Sequence, residues 1–517
     1  MKPKRKVVVQ EEQAVETAAP RPIGKRSMFE TICILLICLL GAARVFIFSA
    51  SFPFFNNVDE QTHLDQVVKY SQGILPQGLD NFNDEAARLS ATWGSPEYFL
   101  KPEDYQGKPF GQPIWTMSSE MSSLVATQGT GEYLGRPSIE SVQPPLYYAV
   151  AGIWYDFGKL MHLQGGILLY WIRFLNIILA GILVWIAYLF AVRFFPSSRF
   201  MRYGLPFLIA FVPQDIYYGI DNDVLSPILF GIAFYCLMDI YLSSDKGFRY
   251  YLLAGLAIAA AMLTKVTNFP ILFVLGIVVL LKLRQQAAGR EAVVRLKSMG
   301  VLVAASFAPI ALWAIRNYTV MNSFSAQEQY NMYAGWTSKS FTEMWNHPIF
   351  TWQGLSGFWN ELFESYWRGE FVWHGVRLSW HSVDLFYSLS SLALLIVGVI
   401  MFRRSVKEEG AVVNRMATIT VVLGFLMLCA MSMHYDFGQW ASPSKAKPFF
   451  DGGRLIIGTM IPFFALYLSG LEYVFSKIKL KVILPVMLLL IVGVVTYSEF
   501  AMSTGAFASN WNLFHMH

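Results

Sequence analysis

The chain has 517 residues, of which 55% are hydrophobic and 15% are charged, and its formal net charge is +5. Apolar runs of roughly 20 residues recur along it, each long enough to cross about 30 Å of hydrocarbon, whereas the short alternating segments typical of a transmembrane β-barrel are not seen. The sequence therefore predicts an all-α polytopic membrane protein. The four cysteines lie within apolar runs, which indicates buried apolar side chains and not disulfide or metal partners.

The chain begins with a polar stretch. Residues 1–27 are basic and poor in aromatic side chains, which predicts a disordered cytoplasmic tail. The apolar run 28–51 is too long for the core of a signal peptide and shows no small-residue cleavage site, so we expect it to stay as a membrane anchor. The further divisions expected are a transmembrane module 28–315 that includes an outer loop 52–167, a second outer loop 316–382, and a C-terminal transmembrane module 383–517.

About eleven membrane spans are predicted from the apolar runs. They cover residues 28–51, 168–192, 203–219, 224–243, 250–264, 268–282, 298–315, 383–402, 415–433, 454–474 and 481–499. Lys and Arg gather on the cytoplasmic side of membrane proteins. More than half of the 40 Lys and Arg fall in short cytoplasmic segments if residues 144–161 do not cross. We therefore expect 144–161 to lie as a helix on the outer membrane surface.

This topology puts the N-terminus in the cytoplasm and the C-terminus outside. Three large outer regions follow, at residues 52–167, 316–382 and 434–453. The first is rich in Gly, Pro, Asn and acidic residues, which predicts loops with short juxtamembrane helices.

An ionisable cluster lies where the first outer region begins. The stretch NNVDEQTHLDQ, Asn56–Gln66, holds Asp59, Glu60, His63 and Asp65. A carboxylate at this place can cap the short amphipathic helix predicted to follow, because free backbone N–H groups and the helix dipole favour it. It can equally serve chemistry at the outer face, and the cluster alone leaves both interpretations open.

Ionisable side chains also occupy the tips of the shorter outer connections. They are Asp221 and Asp223 in GIDNDVLSP, Lys265 in LTKVTNFP, Arg316 in IRNYT, and Asp451 and Arg454 in DGGRLIIG. Charges at membrane depth are costly and usually pair or bind ligands. Either these groups converge on one site, or they form structural ion pairs such as Asp223 with Lys265.

Opposite charges at one surface suit group transfer from a phosphate-linked substrate. Carboxylates accept a proton from a hydroxyl nucleophile, and Lys or Arg neutralises a phosphate leaving group. Aromatic side chains are abundant in the second outer loop, where Trp367 and Trp373 either stack on sugar rings or rest at the membrane interface.

The order of these motifs resembles that of the GT-C superfamily of membrane glycosyltransferases, whose members take sugars from polyprenyl-phosphate or dolichyl-phosphate carriers. The similar elements are VDEQTH, VQPPLYYAV, the span RFLNIILAGILVWIAYLFAVRFF, ND in GIDNDVLSP, LTK in AAAMLTKVTNFP, and DGGRLIIGTMIP, which resembles a GRYLLP-like element. The likeness extends over about residues 28–475 and is strongest to a bacterial branch of predicted membrane proteins of unassigned substrate. It implies a GT-C-like fold with juxtamembrane helices in the first periplasmic loop.

The outer charges and this resemblance together predict roles for individual residues. The predicted catalytic group is Asp59 as base with Glu60 and His63; the supporting acids are Asp221 and Asp223; the donor-phosphate ligands are Lys265, Arg316 and Arg454; weaker acceptor or sugar contacts are Trp367, Arg368, Trp373 and His374. Leu455 stands where the family element usually has Tyr. A divalent metal, Mg²⁺ or Mn²⁺, held by Asp59 and Asp223 is compatible with the residues but is not required by their spacing.

The implied activity is an inverting hexosyl- or pentosyltransferase of the bacterial cytoplasmic membrane with its active site on the periplasmic face. The expected partners are a polyprenyl-phosphate-linked sugar, a glycan, glycolipid or protein acceptor, and membrane lipids, without nucleic acid. Three alternatives stay open: a polysaccharide polymerase or O-antigen-ligase-like enzyme that uses Arg368, His374 and Arg377; a transporter; and a non-catalytic assembly protein.

Overall fold

The structure, a computed structural model, describes residues 27–55, 59–105, 111–243, 246–286, 288–402, 409–439 and 442–516. The predicted disordered tail lies outside these residues except for Ser27. The α-helices are α1 (Met28–Ser51), α2 (Glu60–Ser71), α3 (Asp84–Trp93), α4 (Ser119–Leu134), α5 (Leu146–Leu160), α6 (Gly165–Phe194), α7 (Arg199–Phe211), α8 (Ser226–Leu242), α9 (Phe248–Thr264), α10 (Pro270–Arg284), α11 (Gly289–Met321), α12 (Gln327–Ala334), α13 (Phe341–Met344), α14 (Trp352–Arg368), α15 (His381–Met401), α16 (Glu409–His434), α17 (Met460–Lys477), α18 (Leu484–Met502) and α19 (Thr504–Ala508).

Four two-residue strands occur in the outer regions. β1 (Thr337–Ser338) pairs antiparallel with β4 (Tyr435–Asp436), and β2 (Val372–Trp373) pairs antiparallel with β3 (Val376–Arg377). The first pair joins the second and third outer regions. The protein is otherwise an all-α polytopic membrane protein, as the sequence predicts.

Nine helices in the described part of the chain are long and apolar enough to cross a membrane. Every one of the eleven predicted spans contains a helix, and α8 and α10 reach spanning length together with the 3₁₀ turns that precede them, but the helices of two spans are not among the nine. Helix α9 has 17 residues and α7 has 13. At 1.5 Å per residue, α7 is about 20 Å long, which is less than the hydrocarbon thickness.

The segment that contains α7 nevertheless runs the length of α1. At one end Arg202 donates to Glu30, near the start of α1. At the other end Ser49 of α1 donates to the backbone carbonyl of Tyr217 at 3.1 Å. Helix α7 ends early because Pro213 disfavours helical geometry at the residue before it, and the rest of the distance is covered by non-helical backbone.

Carbonyl groups freed at the end of α7 are satisfied by Arg44 of α1. Its Nη1 donates to the Ala210 carbonyl at 3.3 Å and its Nη2 to the Val212 carbonyl at 2.7 Å. The same guanidinium pairs with Glu499 of α18 at 2.8 and 2.6 Å. Irregular backbone at membrane depth requires such internal partners, so Arg44 joins α1, α7 and α18.

Helix α5, the predicted surface helix, packs at one end of the bundle. Tyr155 donates to Glu85 of α3 at 2.7 Å. The indoles of Trp154 and Trp171 each donate to the other residue's carbonyl, at 2.7 and 2.9 Å, which fixes α5 to the start of α6. With 15 residues, α5 is too short to span the hydrocarbon. It therefore lies with α2 and α3 over the ends of the membrane helices.

Candidate active site

Arg454 is surrounded by four carboxylates that come from three separate parts of the chain. Its Nη2 lies 3.8 Å from Asp59 Oδ2, and its Nη1 lies 3.6 Å from Asp223 Oδ2 and 4.0 Å from Asp221 Oδ2. Its Nε donates to Glu370 Oε2 at 3.2 Å. We call these five residues the Arg454 cluster.

Lys265 reaches the same place from the end of α9. Its ammonium donates to Asp223 Oδ1, and both side chains are buried. The structural pair considered from the sequence, Asp223 with Lys265, therefore exists, and it lies inside the group of converging charges. Four carboxylates therefore lie near two cations. Arg454 is the more exposed of these cations, with 22% of its side chain accessible against 6% for Lys265.

Close packing of a glycine sets the position of Arg454. A Cβ on Gly453 would fall well inside van der Waals contact with the backbone N of Tyr366 in α14. The Gly453 N–H donates to the Ser365 hydroxyl at 2.8 Å. Because Gly453 touches the backbone of α14, the residue just beyond that helix, Glu370, comes within reach of Arg454.

Asp59 precedes α2 but does not cap it with its side chain. Its φ is 55°, in the left-handed region, and its side chain makes no capping hydrogen bond. Its backbone carbonyl accepts from the N–H groups of Thr62 and His63 at 2.8 and 3.1 Å. The carboxylate is thus free to face Arg454, and about a third of it (35%) is exposed. Left-handed non-glycine residues are uncommon and cluster at functional sites.

The surroundings of Asp59 raise the pKa of its carboxyl group. Burial is the main cause, the Arg454 charge acts in the opposite direction, and Glu370 adds a smaller increase. A carboxylate with a raised pKa is a better proton acceptor than an ordinary aspartate, provided that it remains ionised at the working pH.

Glu60 has a different environment from its neighbour. Both of its oxygens accept from Arg173 of α6 at 2.7 Å, and the two side chains are 1% and 0% exposed. Glu60 also accepts from the N–H of Ile220 at 2.9 Å. The Glu60 carboxylate is thus enclosed by Arg173 and joins α2, α6 and the loop that carries Asp221, and its predicted place in the catalytic group stays a prediction.

His63 lies on the buried face of α2, next to two residues that the sequence reasoning missed. Its Nδ1 lies 2.9 Å from the Tyr148 hydroxyl, which lies 3.3 Å from Glu140 Oε2. Its Nε2 lies 3.6 Å from Asp221 Oδ1. Burial, reinforced by Arg454, lowers the pKa of His63 to about 3. Burial also raises the pKa of Glu140 to about 8, with Asp59 as the largest charge contribution.

Asp221 is oriented by its own loop. Its Oδ1 accepts from the backbone N–H of Asp223 at 2.8 Å, so its Oδ2 faces Arg454. Burial raises the pKa of Asp221, and the charges of Lys265 and Arg454 lower it.

Arg316 does not join the Arg454 cluster within the described part of the chain. It lies inside α11, which continues to Met321, and its Nη1 donates to the Pro76 carbonyl at 2.5 Å. Its guanidinium lies over the Trp313 ring, 5.3 Å from the centroid. Arg316 therefore lies apart from Lys265 and Arg454, and its predicted role as a phosphate ligand stays a prediction.

Trp367 and Arg368 are core residues of α14. The Trp367 indole is fully buried and donates to Ser391 at 3.1 Å. Arg368 donates to Asp384 at 2.6 Å, and both side chains are 5% exposed. The structure does not bring these two side chains to the Arg454 cluster within the described residues, and their predicted contact with sugar or acceptor stays a prediction.

Trp373 and His374 lie in the turn between β2 and β3. Their rings stack with centroids 5.0 Å apart, and the His374 N–H donates to the Glu97 carbonyl at 2.7 Å. The structure does not bring them to the Arg454 cluster within the described residues, and their predicted contact with an acceptor stays a prediction.

The proposed metal ligands Asp59 and Asp223 have the Arg454 guanidinium between them. In the part of the chain that the structure describes, no group of three or more His, Cys, Asp and Glu side chains is arranged to hold a metal ion. The arrangement therefore does not fit a metal at these two carboxylates, and metal dependence stays a prediction.

Comparison with protein families places the chain among membrane proteins. Residues 38–442 match the family described as "Predicted membrane protein (DUF2142)". The chain belongs to this family. No curated protein matches its sequence.

Solved structures of one archaeal enzyme are similar to this chain at low identity. The Archaeoglobus fulgidus oligosaccharyltransferase in complex with Zn and sulfate is 12% identical, with a TM-score of 0.46 over 92% of this chain and 53% of that chain. Its apo form is 10% identical, with a TM-score of 0.44 over 94% and 57%. The complex of this enzyme, AglB, with an inhibitory peptide and a dolichol-phosphate is 11% identical, with a TM-score of 0.41 over 93% and 56%. The chain thus spans about half the length of these structures.

Proposed function

We propose that this protein is an inverting glycosyltransferase that moves a hexose or pentose from a polyprenyl-phosphate carrier to an acceptor hydroxyl. The observation that carries the proposal is the juxtaposition of a partly exposed carboxylate, Asp59, with the Arg454 guanidinium at one end of a membrane-helix bundle. This pair supplies the two functions that such a transfer needs, a proton acceptor and a cation for the departing phosphate.

The reaction uses these residues as follows. Asp59 takes the proton of the acceptor hydroxyl, and the hydroxyl oxygen attacks the anomeric carbon of the sugar. The bond from that carbon to the carrier phosphate oxygen breaks on the opposite face, which inverts the configuration without a covalent enzyme intermediate. The phosphate leaves with its extra negative charge beside Arg454, and Lys265 contributes a second positive charge through the shared Asp223.

The depth of the cluster suits a lipid-borne donor. Arg454 lies in the 3₁₀ turn Gly453–Thr459 that leads into the membrane helix α17, and Lys265 directly follows α9, so both cations lie at the level where a carrier phosphate meets its hydrocarbon tail. Charge interactions are stronger there than in bulk water because the local dielectric constant is lower. We place this end at the outer, periplasmic face of the bacterial cytoplasmic membrane, because the short basic segments lie at the other end.

The Asp59→Asn substitution tests the proposal. The amide keeps the shape of the side chain but accepts no proton, so we expect transfer to fall by about 10²- to 10⁴-fold, the usual contribution of a general base. The measurement is sugar transfer from a polyprenyl-phosphate pool in membranes, followed by intact-mass analysis of cell-envelope glycans from a deletion strain that expresses each variant.

The matched control is Asp104→Asn, an exposed aspartate of the same outer region that accepts from the Lys101 N–H. We expect the Asp104→Asn variant to transfer sugar at the wild-type rate. Both variants should elute as monodisperse protein in detergent with unchanged melting temperatures. Sugar transfer at the wild-type rate in Asp59→Asn would rule out the proposed mechanism.

A further inference from the structure

A chain of contacts leads away from the Arg454 cluster into the interior of the outer region. It runs from Asp221 Oδ1 to His63 Nε2 (3.6 Å), from His63 Nδ1 to the Tyr148 hydroxyl (2.9 Å), and from that hydroxyl to Glu140 Oε2 (3.3 Å). All four side chains are buried. In the mechanism above, Glu140 and Tyr148 have no part.

The positions of the hydrogens follow from the partners. Asp221 is an acceptor, so the nitrogen that faces it, His63 Nε2, is favoured in the N–H form. In a neutral imidazole the other nitrogen, Nδ1, is then an acceptor and takes the hydroxyl hydrogen of Tyr148. The Tyr148 oxygen has no second hydrogen, so Glu140 must donate to it. A carboxyl group donates only when it is protonated.

We propose that Glu140, acting through Tyr148, is a positioning residue that selects the tautomer of His63. With Glu140 protonated, His63 carries its hydrogen on Nε2 and presents it to Asp221. With Glu140 ionised, Tyr148 turns its hydrogen to Glu140, His63 carries its hydrogen on Nδ1, and a lone pair on Nε2 faces the Asp221 carboxylate. This second arrangement is unfavourable and turns Asp221 away from His63.

The electrostatic surroundings agree with this assignment. The groups that face Glu140 include the carboxylates of Asp59 and Asp221, the cations Arg454 and Lys265, and the side chains of His63, Tyr148 and, from α12, Tyr330. Burial and the two carboxylates outweigh the two cations, so the pKa of Glu140 is raised to about 8. The pKa of His63, lowered to about 3, keeps the ring neutral on both sides of this transition.

The experiment is ¹⁵N NMR of the full-length protein in nanodiscs with ¹⁵N-labelled histidine, because the shifts of the two ring nitrogens report the tautomer. The His63 signals are assigned by their loss in His63→Gln. At about pH 6 we expect the Nε2–H tautomer, and at about pH 10 mostly the Nδ1–H tautomer. An Nδ1–H tautomer at about pH 6, or no change up to about pH 10, overturns the proposal.

Three variants isolate the cause. Glu140→Gln supplies an N–H donor at every pH, so the Nε2–H tautomer should persist to about pH 10. Tyr148→Phe removes the link to Glu140 and leaves Asp221 alone to set the tautomer, so the Nε2–H tautomer should no longer respond to pH and should persist to about pH 10. Glu97→Gln is the control, since Glu97 is another buried glutamate with a raised pKa and bonds to Ser95 and Ser509. It should behave as wild type.

A second measurement follows from proton linkage. Between the ordinary carboxyl pKa of 4.5 and about 8, folded protein holds a proton on Glu140 that unfolded protein has lost. Stability from this group is therefore complete below the lower value and declines as pH rises toward the upper one. Glu140→Gln should show a flatter decline of melting temperature over this window than wild type, and equal slopes would contradict a protonated Glu140.

The effect on activity rests on the proposed function, whereas the tautomer does not. Wild-type transfer should decline above about pH 8 and the alkaline decline should shift upward in Glu140→Gln. If no transfer is found in any variant but the tautomer responds as described, the proposed function fails and the role of Glu140 stands.

Discussion

Arg173 and Arg454 lie at the same end of the bundle, and each is surrounded by hydrogen-bond acceptors. They differ in how closely these acceptors approach and in how far the arginine side chain is exposed. Arg173 is fully buried, and its donors reach Glu60 at 2.7 Å and the Ser49, Phe52 and Pro53 carbonyls at 2.6–3.2 Å. Arg454 is partly exposed. Among the described residues, its Glu370 contact alone is at hydrogen-bond length, and three further carboxylates lie at 3.6–4.0 Å.

This difference separates a structural arginine from a binding one. A cation whose donors are all occupied at short range has none to offer a ligand, and its removal leaves a buried acid without a partner. A cation held loosely among several acids can move toward an incoming phosphate at little cost. Three substitutions test this distinction between a structural and a binding arginine.

The largest effect is expected from Arg173→Ala. It removes the cation that both oxygens of the buried Glu60 carboxylate contact and leaves that carboxylate only the Ile220 N–H, and breaking a buried pair in this way costs about 3–5 kcal/mol. We expect a strong loss of monodisperse protein and a large fall in melting temperature in detergent. A loss below about 1 kcal/mol would show that the pair is not what joins α2 to α6.

An intermediate effect is expected from Gly453→Ala, because the added methyl group collides with the α14 backbone at Tyr366. Overpacking of this kind costs about 1–3 kcal/mol, and it should move Arg454 and reduce transfer. Gly452→Ala is the matched control for stability. Its Cβ meets only the Glu370 side chain, at 2.8 Å from Oε1, and not the backbone of α14. Because Glu370 bonds to Arg454, we expect transfer to fall in both variants, so the melting temperature is the measurement that separates them.

Melting curves of the two alanine variants give the comparison. Equal melting temperatures of Gly452→Ala and Gly453→Ala would mean that contact with α14 does not set the position of Arg454.

The smallest effect is expected from Arg136→Ala. Arg136, which follows the end of α4, pairs with Glu132 in that helix at 3.5 Å. Their side chains are 61% and 63% exposed. Exposed pairs contribute about 0–1 kcal/mol because water and salt screen them. Chemical unfolding should give a free energy within that range of wild type. A loss comparable to that of Arg173→Ala would show that burial is not the property that distinguishes the pairs.

The sequence predicted the bundle because apolar length is a local property. Each predicted span contains a helix, and the short surface helix α5 follows from the distribution of Lys and Arg. The end of helix α7 was missed, although Pro213, Gln214 and Asp215 mark it, because apolar residues resume at Ile216 and the whole stretch 203–219 is apolar on average. Hydropathy does not show whether an apolar segment is helical along its whole length.

Within the site, the sequence identified the charges at helix ends that meet at Arg454, but it could not assign their partners. Lys265 and Arg454 lie near the same acids, whereas Arg316 bonds to a carbonyl and Arg368 to Asp384. The sequence around an arginine does not show which residue its side chain will contact in the folded protein. That choice is made by tertiary packing.

Glu370 and Glu140 were missed for a related reason. Glu140 lies in a polar loop and Glu370 follows the aromatic end of α14, and in neither place do the neighbouring residues indicate a role. Their positions are set by elements distant in sequence, namely the Gly453 contact for Glu370 and α2 with α5 for Glu140. The PPLYY segment held the one available signal, because its second tyrosine is Tyr148.

The pairing of Arg44 with Glu499 has a consequence for how the protein is made. The two residues are 455 positions apart, so a ribosome synthesises nearly the whole chain before the cation in α1 meets its carboxylate. Helix α7 supplies carbonyl oxygens earlier, but the countercharge arrives only with α18. Copies that stall before α18 therefore keep an uncompensated charge within the bilayer, a defect that membrane quality-control proteases can use to tell unfinished molecules from finished ones.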